Sequence, residues 1–292
     1  MDADSPPLTP GTVLPDGSGV PTYKIIEHIA NGGMAGVYHV EIVDRTDGPF
    51  AMKINFQARR APMFYREAQW LSIQKPGLVP CYWADHTVID ETPTSVYIMP
   101  YLHDGSLVSR LHRKSYNHAD AVSWIYSISE TLESVGCVHR DLKPENVLMI
   151  SNQPLVADFG LAIHADMKVR AEWGEVPEYV VGTPPYMSPE QHLTKCLPEL
   201  DCRSDIYTLT LMLHELWFGE LPFPSDISSE EMQSLKISGA LKPIASTKIV
   251  SADELLIKGL TSLRARRYQT HAEFQAALRR VHVDVIANPV PR

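Results

Sequence analysis

Near residue 100 the hydrophobic texture of the chain changes. Before it lie short runs rich in β-branched and aromatic residues: YKIIEHIA from Tyr23, GVYHVEIV from Gly36 and FAMKINF from Phe50. Turn residues separate them, Asn31-Gly32-Gly33 and Asp47-Gly48-Pro49, so each reads as a strand. Two more strand-like runs cover Val79–Ala84 and Thr94–Met99, and a helical segment, about Met63–Ile73, lies between Pro62 and Pro76. Beyond residue 100 helical periods dominate. His118–Val135 sets Ala121, Ile125, Ile128, Leu132 and Val135 at steps of 4, 3, 4 and 3, one stripe of a helix. Ile206–Trp217 is apolar on nearly all sides, as a helix buried in a large domain would be, and further helical periods cover Ser229–Ile237, Ala252–Leu263 and His271–Val283. Between them Val147–Val156 reads as a hairpin turned at Asn152.

Strands first and helices after predict an α+β chain in two lobes. The expected division is a flexible Pro/Gly-rich tail over 1–21, a β-rich lobe over 22–99, a link at 100–104, a helical lobe over 105–286 and a tail over 287–292. A chain of 292 residues is long enough for two domains or one large one. Its formal charge, 26 − 35 = −9, repels phosphate backbones and argues against nucleic-acid binding or docking on an anionic membrane. The four cysteines are too scattered for a disulfide scaffold or a zinc ribbon, which suits a reducing compartment. The opening MDADSPPLTPG has none of the basic and apolar character of a signal peptide, and no run of about 18 apolar residues occurs. The expectation is a soluble, cytoplasmic protein.

The residues richest in chemistry are His139-Arg140-Asp141-Leu142-Lys143-Pro144-Glu145-Asn146, followed after the hairpin by Asp158-Phe159-Gly160. Upstream stand Ile29-Ala30-Asn31-Gly32-Gly33-Met34-Ala35-Gly36-Val37-Tyr38 and Ala51-Met52-Lys53. Downstream stand Gly182-Thr183-Pro184-Pro185-Tyr186-Met187-Ser188-Pro189-Glu190 and Arg203-Ser204-Asp205-Ile206-Tyr207. One such tripeptide arises by chance in many proteins, and an isolated Lys–Glu pair is usually surface charge. The ordered set is far more specific. From about Thr22 to Val283 the chain resembles the eukaryotic-type protein kinases, and its GGM, GTPPYMSPEQ and RYQT segments look most like the bacterial serine/threonine kinases.

The resemblance implies a bilobal kinase fold, with a small five-stranded antiparallel sheet plus one helix and a larger helical lobe. It implies transfer of the γ-phosphoryl group of ATP, with Mg2+, to Ser/Thr hydroxyls of protein substrates. Lys53, paired with Glu67, would contact the α/β-phosphates. Asn146 and Asp158 would be Mg2+ ligands, Asp141 the base, and Lys143 a positive charge beside the moving group. Ile29, Gly32, Gly33, Val37, Ala51, Met99, Pro100, Leu102 and Leu148 would line the nucleotide pocket, with adenine on the Pro100 carbonyl and the Leu102 N–H. Asp205 would anchor the catalytic loop, Glu190 and Arg267 would form a buried ion pair, and Thr183 would be structural rather than a switch.

The chain also departs from the family's pattern. Ala30 and Ala35 replace the first and third glycines of the phosphate-covering turn, which favours a rival reading as a pseudokinase scaffold. A small-molecule phosphotransferase is a second rival, opposed by the SPE and RSDIY segments. Ser106 stands where an acid for an upstream substrate arginine is often found. Between Leu161 and Gly182 there is no Ser or Thr, but Glu172, Glu175, Glu178 and Tyr179. Either Glu175 or Glu178 faces Arg140 in place of a phosphate, or these glutamates form a solvated acidic face.

Overall fold

Short antiparallel strands build the first of two units, Met1–His103 with Ala157–Gly160; the second is Asp104–Val156 with Leu161–Arg292. The structure is a computed structural model describing residues 8–31, 35–57, 61–166, 180–194, 199–243 and 245–290. In the first unit β1 (Val13–Pro15), β2 (Pro21–Asn31), β3 (Ala35–Ile42), β4 (Phe50–Asn55), β5 (Trp83–Ile89) and β6 (Thr92–Pro100) form one sheet in the order β1-β2-β3-β4-β6-β5. Every neighbouring pair is antiparallel. Successive side chains point to opposite faces. Tyr38, Val40, Phe50, Met52, Ile54, Val96 and Ile98 therefore share one buried cluster. Each fully buried aliphatic side chain there stabilises by roughly 1.5–3 kcal/mol. The other face carries Val37, Lys53 and Tyr97 in register, and Ala51 opposite Met99. Helix α1 (Ala61–Leu71) packs on that face, with Phe64, Glu67, Ala68 and Leu71 buried at helical spacing and the Phe64 ring 5.1 Å from Tyr97.

Three expectations change. The sheet has six strands rather than five, because residues expected as a tail form β1. Leu14 is 5% exposed within the cluster, and the Gly11 N–H donates to the Ile25 carbonyl at 2.8 Å. Pro15 ends the edge strand β1 and Pro21 is the first residue of β2, positions where a missing N–H is tolerated. Strand β5 begins at Trp83 rather than at Val79 as expected, since Pro80 interrupts the earlier run. Its hairpin turns at Asp90-Glu91, both with positive φ, instead of the Asn-Gly that would have marked it. Helix α2 (Leu107–Arg113) is new; only Leu107 of it is buried, so it leaves no periodic stripe.

In the second unit α3 spans His118–Val135. Asn117 and Asp120 form a capping box at its start, and Gly136 ends it at φ 73°. It is followed by β7 (Cys137–Val138), β8 (Val147–Ile150), β9 (Gln153–Val156) and β10 (Ile163–His164), of which β7 and β9 pack on it. The β8–β9 hairpin turns at Ser151-Asn152, both left-handed. Helices α4 (Cys202–Phe218), α5 (Ser229–Ser238), α6 (Val250–Gly259) and α7 (His271–Ala287) complete the unit. Helix α4 is buried on all sides, with α3 and α7 among its neighbours. No helix among the described residues is long and apolar enough to cross a membrane.

Candidate active site

Each unit carries its own cluster of chemically active side chains. In the first, Lys53 projects from β4 toward α1, and its Nζ donates to both Glu67 oxygens at 2.8 Å. The Tyr97 hydroxyl, directly across the ladder, donates to Glu67 Oε1 at 2.8 Å. Asp158 Oδ1 lies 3.5 Å from the same ammonium. Burial alone would lower the pKa of Lys53, but the Glu67 and Asp158 carboxylates outweigh it and raise it, so the group stays charged. The Asp158 side chain is 42% exposed against 4% for Glu67, so of the two carboxylates Asp158 is the solvent-facing one. Asp158 adopts φ 62°, a conformation that costs a non-glycine residue about 1–3 kcal/mol. Next to it Phe159 is fully buried, its ring 6.3 Å from that of Trp70, which holds the strained residue in place.

In the second unit the loop from His139 to Asn146 is clamped from below. Asp205, in the first turn of α4, accepts the N–H groups of His139 at 2.7 Å and Arg140 at 3.2 Å. Gln191 Nε2 donates to the Arg140 carbonyl at 2.7 Å. These bonds fix Arg140 at φ 71° and so set where the next residue, Asp141, projects. Burial pushes the Asp205 carboxyl up to about 6 against the opposing pull of these partners. The Asp141 carboxylate accepts the Thr183 hydroxyl at 2.7 Å and has Lys143 Nζ at 3.3 Å. Lys143 Nζ donates in turn to the Thr183 oxygen at 2.7 Å. Asn146 Nδ2 donates to the backbone carbonyl of Asp141 at 2.8 Å. Gly182, just before Thr183, sits at φ +126°, and a Cβ there would lie 2.9 Å from the Arg140 carbonyl, so only glycine fits.

With both clusters in view, the comparisons are direct. The model of the protein kinase domain matches residues 23–273. The chain belongs to the protein kinase family. Over 276 residues the kinase is 30% identical to the serine/threonine-protein kinase PknB of Mycobacterium tuberculosis, covering 89% of this chain and 43% of the relative. It is 27% identical to the serine/threonine-protein kinase Pkn1 of Myxococcus xanthus, covering 88% and 38%, and 29% identical over 272 residues to a probable serine/threonine-protein kinase of Streptomyces coelicolor, covering 87% and 39%. The chain spans about two fifths of the length of these relatives.

Other expected residues of the kinase fall as follows. Val37, Ala51 and Met99 lie on the Lys53 face of the sheet, and Pro100 ends β6. Ile29 sits at a register shift of β2 and is 40% exposed. Leu148 lies on β8 in the second unit, bridged to Ser106. The Tyr101 N–H is bonded to the Pro49 carbonyl at 3.0 Å, so Leu102 carries the remaining N–H of the stretch 100–102. Gly32, Gly33, Glu172, Glu175, Glu178 and Tyr179 lie outside the described residues. Ala30 and Ala35 take ladder positions opposite Val37 and Asn55. Gly36 is required by packing: a Cβ there would meet the rings of Tyr38 and Phe56 at 2.7 and 2.9 Å. Glu190 and Arg267 do form a buried pair, at 2.7 and 2.8 Å. Sequence reasoning left Tyr97 and Thr183 outside the site. The register opposite Lys53 would have found the first; the second has no local signal, because its partners are about 40 residues away.

Proposed function

We propose that this chain is an active serine/threonine protein kinase that moves the γ-phosphoryl group of ATP to hydroxyls of protein substrates. The observation that carries this reading is the Asp141 carboxylate, already hydrogen-bonded by one hydroxyl at 2.7 Å and flanked by an ammonium at 3.3 Å. An ionised carboxylate offers about four lone-pair positions, so room remains for a substrate hydroxyl. Asp141 accepts that proton as the oxygen attacks, and Lys143 holds positive charge beside the group in transit. Lys53, kept charged by its two carboxylates, binds the α/β-phosphates.

The donor set suits Mg2+, which takes one or two protein oxygens and completes its shell with phosphates and water. The Asn146 amide nitrogen is committed to the Asp141 carbonyl, which leaves Oδ1 as a hard oxygen donor, and the Asp158 carboxylate is 42% exposed. These two residues would hold the ion, which when bound supplies charge neutralisation to the phosphates. Val37, Ala51, Met99 and Ile29 of the first unit would give the adenine apolar contacts, with the Pro100 carbonyl and Leu102 N–H as its polar partners. The relatives' names support the serine/threonine assignment. Cys81 and Cys202, thiols outside any disulfide, suit a reducing, cytoplasmic setting.

Incubation with labelled ATP, Mg2+ and a generic basic protein, beside Asp141→Asn, tests the reading. Label on protein that disappears in the variant supports it. Nucleotide binding without turnover in the native chain replaces it with a scaffold.

A further inference from the structure

One buried cation has no part in the reading above. Lys236, in α5, is 1% exposed. Its Nζ donates to the carbonyls of Pro184 at 2.8 Å, Pro185 at 2.7 Å and Met187 at 2.9 Å. An ammonium has three donors and no acceptor, so every donor goes to one four-residue stretch. A buried charge without a counter-ion is expensive to retain. The stretch gains from it what its own sequence cannot supply. Pro184 and Pro185 have no N–H, and the N–H groups of Tyr186 and Met187 both turn back to the Thr183 carbonyl, at 2.9 and 3.1 Å. Thr183, so fixed, is the residue whose hydroxyl joins Asp141 to Lys143.

We propose that Lys236 is a positioning residue for phosphoryl transfer: by fastening the carbonyls of Pro184, Pro185 and Met187 to α5, it sets the Thr183 hydroxyl against Asp141 and Lys143. The proposal rests on the reading of Asp141 as the base. A neutral amine has two donors and a lone pair, so loss of its proton turns a lone pair toward one of the three carbonyls and loosens the fastening.

The surroundings favour that loss within reach of assay. Burial lowers the pKa of Lys236 to about 7. His192, from the 189–192 turn, is pushed down to about 4 by burial and then by this ammonium, so it is neutral. Glu190 on the same turn is committed to Arg267 and Ser204, and the Tyr186 hydroxyl to Glu215. The Phe223 ring lies 5.5 Å from Nζ. Among the described residues none of these supplies a counter-charge. Activity and stability then respond to pH in opposite senses. The native pKa is below the unfolded one, so raising pH above about 7 relieves a buried charge and stabilises the fold, while it withdraws a donor from the stretch and slows transfer.

Lys236→Met, which keeps the stem and removes the charge, tests this. The expected result is kcat lower by about 10- to 100-fold, the scale of a small misplacement at a reacting centre, with KM for ATP within about twofold. The native kcat is expected to decline above about pH 7 and that of the variant not to, while the Tyr186 and Met187 amides of the variant exchange faster. Unchanged kcat, or the same alkaline decline in the variant, overturns the proposal. If Lys236→Met does not fold, the native protein decides alone: kcat that holds steady from about pH 7 to 9 while the melting temperature rises overturns it. If the native protein transfers no phosphate yet the two amides exchange faster in the variant, the fastening stands and the assignment of Asp141 fails; equal exchange sinks the fastening.

Discussion

Replacing Arg267 with methionine should bring the fold to the edge of unfolding. All five of its N–H donors are engaged: Nε to the Thr261 carbonyl, Nη1 to Glu190 Oε1 and the Arg203 carbonyl, Nη2 to Glu190 Oε2 and the Ser262 carbonyl. Its side chain is 0% exposed and that of Glu190 5%. Removing one partner of such a pair leaves a buried carboxylate whose remaining side-chain donor is Ser204, which costs about 3–5 kcal/mol. Three carbonyls lose a donor as well, each worth about 1 kcal/mol. Against a total stability of about 5–15 kcal/mol, the expected fall in melting temperature is about 10 °C or more. Arg267→Met with Glu190→Leu should recover much of it, since an apolar pair leaves no stranded charge. Acid supplies a further check. Burial would raise the Glu190 carboxyl, but Arg267 and Ser204 hold it below its ordinary value. The stabilisation is therefore complete above about pH 4.5 and is lost as pH falls through the lowered pKa. In Arg267→Met the stranded carboxylate titrates higher, so the gap between the two proteins should narrow on acidification. A single variant within about 1 kcal/mol of the native protein in urea melts, or a double variant no more stable than the single, would refute the reasoning.

Tyr97→Phe removes one hydroxyl from the buried Glu67 carboxylate and should cost about 1.5–3 kcal/mol in urea unfolding, with a rise in KM for ATP as the Lys53–Glu67 pair loosens. No change in either would show that Tyr97 only packs. Gly182→Ala should fold but lose most turnover, because its Cβ collides with the Arg140 carbonyl beside Asp141; activity near the native level would mean the stretch can move aside. Leu14→Ala should destabilise by about 2–5 kcal/mol in thermal melts, as a cavity in the first unit's core would. A loss below about 0.5 kcal/mol would return residues 8–15 to the status of a tail.

What the sequence disclosed followed the range of the interactions involved. Helix α3 was legible at both ends, because its stripe and the glycine that closes it are local. The catalytic-loop residues were legible as an ordered set. The Lys53–Glu67 pair was expected from the resemblance, and it forms because α1 starts early enough to place Glu67 two turns in, facing the lysine. Strand β1 was hidden because prolines that bound a three-residue strand look the same as prolines that scatter through a tail. Asp90-Glu91 was hidden because neither residue advertises a left-handed turn. The contacts of Thr183 and Lys236 were invisible for another reason: their partners are fixed by the packing of distant segments, about which a linear pattern says nothing.

The smallest segment of the first unit has a consequence for the whole. Ala157–Gly160 belongs with residues up to His103, while Val156 and Leu161 on either side belong to the second unit. The polypeptide thus changes allegiance three times, and no single cut separates the two bodies. A fragment ending at His103 would keep Lys53 and Glu67 but forfeit Asp158, the more exposed of the two carboxylates that hold the lysine charged. Recombination at any one junction between Glu67 and Asp158 would break that set, whereas a junction beyond Gly160 would leave it whole.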